Sequence, residues 1–256
     1  MKKVLIRLPR ATEDPDTGKK IILNKSEKYY VESDSDFNYN YGSIKAKTIK
    51  GSELRSGKDT FYVFDPVFLD NYKKIKRLAQ IITLKDVGAI IANTGINRDS
   101  EVIDAGAGSG ALSCFLAKIA KQVDSFDVED KNLEVAKKNA KLLGIDNVTY
   151  AKGDVYNKEE FKNKNNTYDV FTLDVPEPWR ALDSAYDVLK VGGYLVIYAP
   201  NITQIQETVL KLNKKMLHEK TIEIIEREWS VKDKVLRPVT KDFGHTAFLS
   251  FVRKIN

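Results

Sequence analysis

Four aspartates and one glycine-rich turn carry the spacing that bears on chemistry. The turn "DAGAGSGA", residues 104–111, joins an apolar run to a helical one. Gly106, Gly108 and Gly110 let the backbone approach a ligand closely, and a helix starting at Ala111 favours an anionic group at its N-terminus. Gly106-x-Gly108-x-x-Ala111 also satisfies the dinucleotide fingerprint, a weak signal alone, because glycine turns between strand and helix also serve packing. Asp127, about 20 residues on, ends the next apolar run, where an acid accepts from ribose hydroxyls. Asp154 ends a third, where a carboxylate accepts from an adenine amino group. Val128 and Val155 follow these acids and complete the expected cofactor wall with Asp104. The fourth acid, Asp174, ends "TYDVFTLD" and is followed by Pro176 and Pro178. Proline lacks an N–H and fixes φ, so the chain after Asp174 is stiff and poor in donors. As a helix N-cap, Asp174 would stand three or four residues too early.

These residues need a frame that brings strand ends together. From Glu101 the chain alternates strand and helix: "EVIDAG", "SGALSCFLAKIAK", "QVDSFDV", "EDKNLEVAKKNAKLLG", "NVTYAKGD", "TYDVFTLD", "PWRALDSAYDVLK", "GGYLVIYAP" and "ITQIQETVLKLNKKM". Such βα repetition predicts a parallel sheet covered on both faces. "KTIEIIEREWSV" and "HTAFLSFVRK" then read as two strands with no helix between them, an antiparallel pair closing the sheet. Residues 65–98 form a helical lead-in with a break near Thr83. Residues 1–64 differ: short β-rich runs ("KVLIRL", "KKIILN", "KYYVES", "SIKAKTI", "TFYVF") alternate with turns ("EDPDTGK", "KGSELRSGKD") and predict a small antiparallel β domain. The expected organisation is a β domain over 1–64 and a catalytic α/β domain over 65–256.

Hydrophobic residues make up 42% of the 256 and charged residues 30%, enough apolar surface for a sizeable core and too much for disorder. The net charge of +6 suits a polyanionic partner. One cysteine, Cys114, excludes an intrachain disulfide, and with two histidines no metal site is expected. No apolar run reaches about 18 residues and the N-terminus is unlike a signal peptide, so the expected location is cytoplasmic.

Both a dinucleotide and S-adenosyl-L-methionine (SAM) carry adenosine. The terminal antiparallel pair after alternating units favours a seven-stranded, Rossmann-like class I methyltransferase sheet. So does Asp104, which either holds the cofactor's ammonium or organises the loop that does. The chain from about Asp65 to Arg253 resembles the tRNA (adenine-N1) methyltransferases that act at position 58, and in archaea also at 57. "KRLAQIITLKD" (76–86), "VIDAGAGSGALS" (102–113), "LDVPEPW" (173–179), "VIYAPNITQIQETV" (196–209) and "LRPVTKDFGHTAFLSFVRK" (236–254) carry the resemblance. The glycine loop is common to methyltransferases of this fold; "YAPNITQ" and "GHTAFL" are far more specific. The small N-terminal β domain agrees with the family.

The resemblance implies SAM as cofactor, tRNA as partner and a homotetramer. It makes Asp174 the catalytic residue, puts Gln80 and Lys85-Asp86 at the cofactor entrance, and brings His245 near the active site. Tyr198, Asn201 and Gln204 follow the fifth strand at the same edge, and Arg237 is a candidate for phosphate. Many members carry Tyr or His where this chain has Thr83, an aromatic ring that touches the target base. Thr83 cannot stack, and Tyr198 is the neighbouring ring. In the N-terminal domain, "DFNYNYGSIKAK" mixes aromatics with lysines, which suits either RNA contact or the core and rim of a β domain. Three rivals remain: a methyltransferase of a non-RNA substrate, a dehydrogenase, and a non-catalytic RNA-binding subunit. The last would lose the glycine loop and the catalytic Asp, both present here.

Overall fold

A computed structural model of the chain describes residues 2–78, 80–232, 235–240 and 244–256. Part of the terminal motif, residues 241–243, therefore lies outside the described residues. The chain divides into two compact units, Met1–Lys74 and Ile75–Asn256.

The first unit is antiparallel β. Its strands are β1 (Lys2–Arg7), β2 (Arg10–Glu13), β3 (Lys20–Asn24), β4 (Glu27–Glu32), β5 (Phe37–Tyr39), β6 (Gly42–Ile44), β7 (Glu53–Ser56) and β8 (Asp59–Phe64). A four-stranded sheet runs β4-β1-β8-β7, with β2–β3 and β5–β6 as separate ribbons. Leu5, Val31, Ile44, Ile49, Leu54, Phe61 and Val63 make its core. Two local readings change. "SIKAKTI" is strand only as far as Ile44, and Ala46–Thr48 is a 3-10 turn; β7 occupies the expected turn "KGSELRSGKD". A short helix, α1 (Phe68–Tyr72), also belongs to this unit, so the division falls ten residues after the expected 64/65 boundary. Lys28 on β4 pairs with Asp70 of α1, and Asp70 Oδ2 accepts the Val67 N–H at 3.1 Å.

The second unit is the expected α/β layer. It contains α2 (Leu84–Thr94), β9 (Glu101–Ala105), α3 (Ala111–Ala117), β10 (Gln122–Asp127), α4 (Asp130–Leu143), β11 (Val148–Lys152), β12 (Tyr168–Leu173), α5 (Leu182–Val188), β13 (Leu189–Ala199), α6 (Ile202–Leu210), β14 (Met216–Glu223), β15 (Trp229–Lys232), β16 (Val235–Pro238) and β17 (Phe248–Lys254). The sheet order is β11-β10-β9-β12-β13-β17-β14, parallel through β13, with β17 antiparallel to both neighbours. Two predictions shift. The lead-in is not one broken helix: residues 73–78 and 80–83 lie outside helices, and α2 begins at Leu84. The strand expected over 220–231 is split, because β14 ends at Glu223 and Trp229 enters a separate β15–β16 ribbon.

Alternation along each strand builds two cores. Ile103, Phe171, Leu195 and Ile197 face a cluster with Leu182, Ala185 and Ile205 of α5 and α6. Their neighbours Val102, Val170 and Val196 face Val87, Ile90, Leu112 and Leu116 of α2 and α3. Strands buried on both faces read as continuous apolar runs, and these do. The polar exceptions among them, Asp104 and Thr172, stand one step beyond Val102 and Val170, toward the carboxyl edge.

Candidate active site

The sheet order reverses at β9, whose neighbours are β10 and β12. At such a switch point the loops leave in opposite directions and open a crevice at the strands' carboxyl ends. The glycine loop, Asp127 and Asp174 all stand there. The Asp174 N–H donates to Ala105 O at 2.6 Å, and the Gly106 N–H donates to Asp174 O at 3.2 Å, so loop and catalytic candidate share one backbone clasp.

Two cavities open at this edge. The larger, about 270 Å³, is lined by Phe126, Asp127, Val128, Glu129, Asn132, Asp154, Val155, Tyr156, Val175 and Pro176. The smaller, about 50 Å³, is lined by Gln80, Ile82, Asp104, Gly108, Ser109, Ala111 and Leu112. Gly106 and Asp174 border both. The elongated cofactor fits this arrangement. A Cβ on Gly106 would sit 3.4 Å from Asp127 Oδ2 and 3.6 Å from Asp174 O, filling the cradle between the two acids. Gly110 is constrained otherwise: at φ 72° it is left-handed, and a Cβ there would meet Tyr150 Oη at 2.7 Å and Ala136 Cβ at 2.8 Å.

Each carboxylate is held differently. Asp127 Oδ2 accepts the Gly108 N–H at 2.8 Å and Oδ1 the Glu129 N–H at 2.9 Å, with Asn132 Nδ2 within 3.1 and 3.2 Å of the two oxygens. Asp154 Oδ1 accepts the Tyr156 N–H at 2.9 Å. Asp104 is buried, and its oxygens accept from the Ser125 and Thr172 hydroxyls, each at 2.8 Å. The register produces this row, since Ser125 and Thr172 are the strand partners of Asp104 on either side. Burial pushes the Asp104 carboxyl up to about 6. Both its oxygens being engaged, Asp104 organises the floor under the loop while bordering the smaller cavity. Among the described residues, the Asp174 side chain makes no such bonds. Desolvation, then the Asp104 charge, raise its carboxyl to about 7, although the residue as a whole stands exposed at the cavity mouth, which works against so large a rise.

The remaining expected residues fall into two groups and one outlier. Thr83 and Tyr198 stand beside a buried hub, Asp86, and His245 precedes Thr246, which bonds to that hub. Asp86 accepts from Thr83 Oγ1 at 2.8 Å, Thr246 Oγ1 at 2.9 Å and Lys85 Nζ at 2.7 Å. Lys85 and Asp86 are therefore a buried pair rather than an open entrance. Thr83, with no ring to offer, donates to Asp86, and Asp86 ties the N-terminus of α2 to Thr246. Tyr198 on β13 is half-buried; desolvation, then the charges of Asp86 and Asp174, push its phenol up to about 12. His245 Nδ1 lies 2.6 Å from Glu223 Oε1 and Nε2 lies 2.9 Å from Pro200 O. Both partners only accept, so the doubly protonated ring is favoured and its pKa is raised, Glu223 first.

The second group is Asn201 and Gln204. The Asn201 N–H donates to Gln204 Oε1 at 3.2 Å, and Gln204 Nε2 donates to Pro176 O at 2.8 Å. Both ends of the Gln204 amide are thus engaged, one at the start of α6 and the other at the turn after Asp174, which places it as a brace rather than as a free substrate contact. Arg237 is the outlier. It stands exposed on the β15–β16 ribbon opposite Ser230, outside the walls of both cavities. Sequence reasoning missed Ser125, Thr172, Asn132 and Tyr156. Only Asn132 had a local signal, its place in the first turn of the helix that follows Asp127.

The strand order, the glycine loop and the acids at the carboxyl edge define a class I SAM-dependent methyltransferase fold. The family described as "tRNA methyltransferase complex GCD14 subunit" matches residues 72–237, and the chain belongs to it. A Methanocaldococcus jannaschii protein named tRNA (adenine(57)-N(1)/adenine(58)-N(1))-methyltransferase TrmI is 34% identical, covering 93% of this chain and 92% of its own. The Thermus thermophilus tRNA (adenine(58)-N(1))-methyltransferase TrmI is 33% identical over 75% of this chain and 76% of its own. Among solved structures, a SAM-dependent O-methyltransferase from Thermotoga maritima superposes with a TM-score of 0.79 at 25% identity, covering 99% of this chain and 93% of its own. The Aquifex aeolicus tRNA (m1A58) methyltransferase TrmI superposes at 0.78 with 22% identity, covering 99% and 97%, a likeness of fold.

Proposed function

We propose that this protein transfers the methyl group of SAM to N1 of adenine 58 in the T-loop of tRNA, and also acts at position 57. The observation that carries the chemistry is Asp174, a carboxylate that borders both cavities and has no side-chain hydrogen-bond partner among the described residues. The relative named for positions 57 and 58 supports the wider specificity.

The cofactor supplies the methyl on a sulfonium, a good leaving group. Asp127 and Asn132 would hold the ribose side, Phe126, Val128, Asp154 and Val155 the adenine side, and Gln80 with the glycine loop the amino-acid end. Adenine N1 presents its lone pair in the ring plane and needs no base to unmask it. It is a weak nucleophile, and its methylation leaves a cation. Asp174 accepts a hydrogen bond from the exocyclic N6 group, which raises electron density at N1 and stabilises the developing charge. Alignment does much of the rest. The base reaches the pocket by flipping out of folded tRNA. Tyr198, on the face of β13 beside Asp86, is the ring available to it where Thr83 has none.

The N-terminal unit contributes affinity for tRNA. It carries 15 basic and 11 acidic side chains, a net +4 out of +6, in 74 residues. A cavity of about 280 Å³ lined by Lys2, Tyr30, Val31, Glu32, Asn71 and Lys74 offers an aromatic ring and two lysines beside a single acid, which suits a base flanked by phosphate on the lysine side. Exposed apolar ribbons at Ile21–Leu23 and at Trp229, Val231, Val235 and Leu236 support assembly, taken as a homotetramer. Among the described residues no helix is long and apolar enough to cross a membrane; the proposed substrate makes the cytoplasm the working place.

The test is nucleoside analysis of tRNA incubated with the protein and labelled SAM, with the position read by primer extension. The expected product is N1-methyladenosine at 58, with a second stop at 57. Label in a different nucleoside, or none with tRNA present, overturns the reading.

A further inference from the structure

The turn that carries Asp174 has few ways to hold itself. Pro176 and Pro178 have no N–H, so Glu177 owns the only amide donor of residues 176–178. That N–H donates to the phenol oxygen of Tyr156 at 3.0 Å. From α6, Gln204 Nε2 fixes the carbonyl of Pro176 at 2.8 Å. The turn is therefore pinned by one side chain on each side of its peptide 176–177.

Tyr156 also belongs to the cofactor cavity. It lines the larger cavity together with Asp154, Val155, Val175 and Pro176. Its N–H donates to Asp154 Oδ1 at 2.9 Å. The Arg180 guanidinium lies 4.4 Å from its ring centroid, and Arg180 is held by Glu177 at 2.8 Å. Desolvation raises the phenol pKa, so the group remains neutral and its oxygen is a fixed acceptor. Any ligand in that cavity borders the residue whose hydroxyl sets the turn.

We propose that Tyr156 is a positioning residue: through the Glu177 N–H it couples occupancy of the adenine side of the cofactor cavity to the placement of the Asp174 carboxylate. This rests on the reading of Asp174 as the catalytic acid. Tyr156 touches no reacting atom; it acts through the turn, and an acid displaced by a fraction of an ångström aligns the base less well.

Tyr156→Phe tests this, because it keeps the ring in the cavity and under Arg180 and deletes only the acceptor. With SAM and tRNA saturating, the single-turnover rate should fall about tenfold while the dissociation constant for SAM moves less than about twofold. A double-mutant cycle then separates positioning from general damage. In an Asp174→Ala background, adding Tyr156→Phe should leave the residual rate unchanged, because the group it places is gone. Rate within twofold of wild type overturns the proposal. So does weakened SAM binding with a normal saturated rate, which makes Tyr156 a binding residue, and so does an undiminished effect of Tyr156→Phe in the Asp174→Ala background. If Asp174→Ala alone is near-normal, the catalytic reading fails instead, a result distinct from a silent Tyr156 beside a crippled Asp174→Ala.

Discussion

The two compact units use charge in opposite ways. In Ile75–Asn256 a few acids converge: β9, β10 and β12 carry Asp104, Asp127 and Asp174 to one edge, where backbone amides and hydroxyls fix the first two and the third has no side-chain bond among the described residues. In Met1–Lys74 the charge is mostly basic and dispersed. Its aromatic stretch has largely gone inward, with Phe37 and Tyr39 packed against Tyr29 and Phe61 at centroid distances of 5.1 Å in each pair Tyr29–Phe37 and Tyr39–Phe61. Tyr41 alone of that stretch is well exposed, at 59%, with the guanidinium of buried Arg7 4.5 Å from its ring centroid. The difference separates two jobs. Convergent, preorganised groups change the barrier of a reaction, whereas dispersed positive charge changes affinity and its salt dependence.

The sharpest way to break this comparison is at Asp174. Asp174→Ala should slow single-turnover methyl transfer at least about 10²-fold, roughly 2.7 kcal/mol, with Asp174→Asn less severe because its amide oxygen still accepts from N6. SAM affinity should change far less. A near-normal Ala rate would return Asp174 to an ordinary strand-end acid. Next comes Asp127→Ala, which removes the partner of both the Gly108 and Glu129 amides as well as the expected ribose acceptor. It should weaken SAM binding by about 1–3 kcal/mol in calorimetry. Unchanged affinity for SAM would remove Asp127 from the cofactor site.

A smaller effect is pH dependence, and its sign follows from the raised acids. Asp104 and Asp174 hold protons in the folded protein, up to about 6 and about 7, that the unfolded chain releases near 3.8, the ordinary value of an aspartate. The folded state thus binds more protons between those limits, so the free protein loses stability as pH rises through that window. The cationic cofactor favours the ionised acids, so the thermal shift it confers should grow from pH 6 to pH 8. The methyl-transfer rate should rise by up to about tenfold over the same range, with its midpoint below about 7, and Asp174→Asn should flatten this limb. A rate that falls across this range would mean that Asp174 works protonated.

Much of the catalytic unit was legible because its information is local. Buried parallel strands read as apolar runs, and Asp127, Asp154 and Asp174 stand where those runs stop. What sequence could not show depends on strand order. Ser125 and Thr172 flank Asp104 only because β10 and β12 are both neighbours of β9. Asp86 meets Thr246 across 160 residues. Gln204 looked like a free polar side chain after a strand, and its occupation by Asn201 and Pro176 is a tertiary fact. Residues 73–82 have helical composition, yet "KRLAQIIT" reaches the smaller cavity at Gln80 and packs Ile82 into the α2–α3 core instead. The β14 strand stops at Glu223, whose carboxylate is held by His245, while the apolar pattern continues into the next ribbon.

The smallest expected effect sharpens the comparison from the other unit. Lys74 Nζ lies 4.2 Å from the centroid of the Tyr30 ring, in the cavity of about 280 Å³ that Lys2 and Asn71 also line. Lys28, 5.4 Å from the same ring, is already paired with Asp70 and contributes less free charge. If Lys2 and Lys74 meet tRNA phosphates, each releases about one counterion on binding. Replacing both with Ala should weaken tRNA binding several-fold near physiological salt. The slope of log affinity against log salt should become shallower by about two. SAM affinity and the single-turnover rate at saturating tRNA should stay as in wild type, because nothing at the carboxyl edge of the second unit has changed. Fluorescence titration of labelled tRNA at several salt concentrations measures the slope directly. An unchanged slope removes this cavity from the tRNA-binding surface. A lowered saturated rate would mean that the basic unit acts on chemistry as well as affinity, and the division between the two units would not hold.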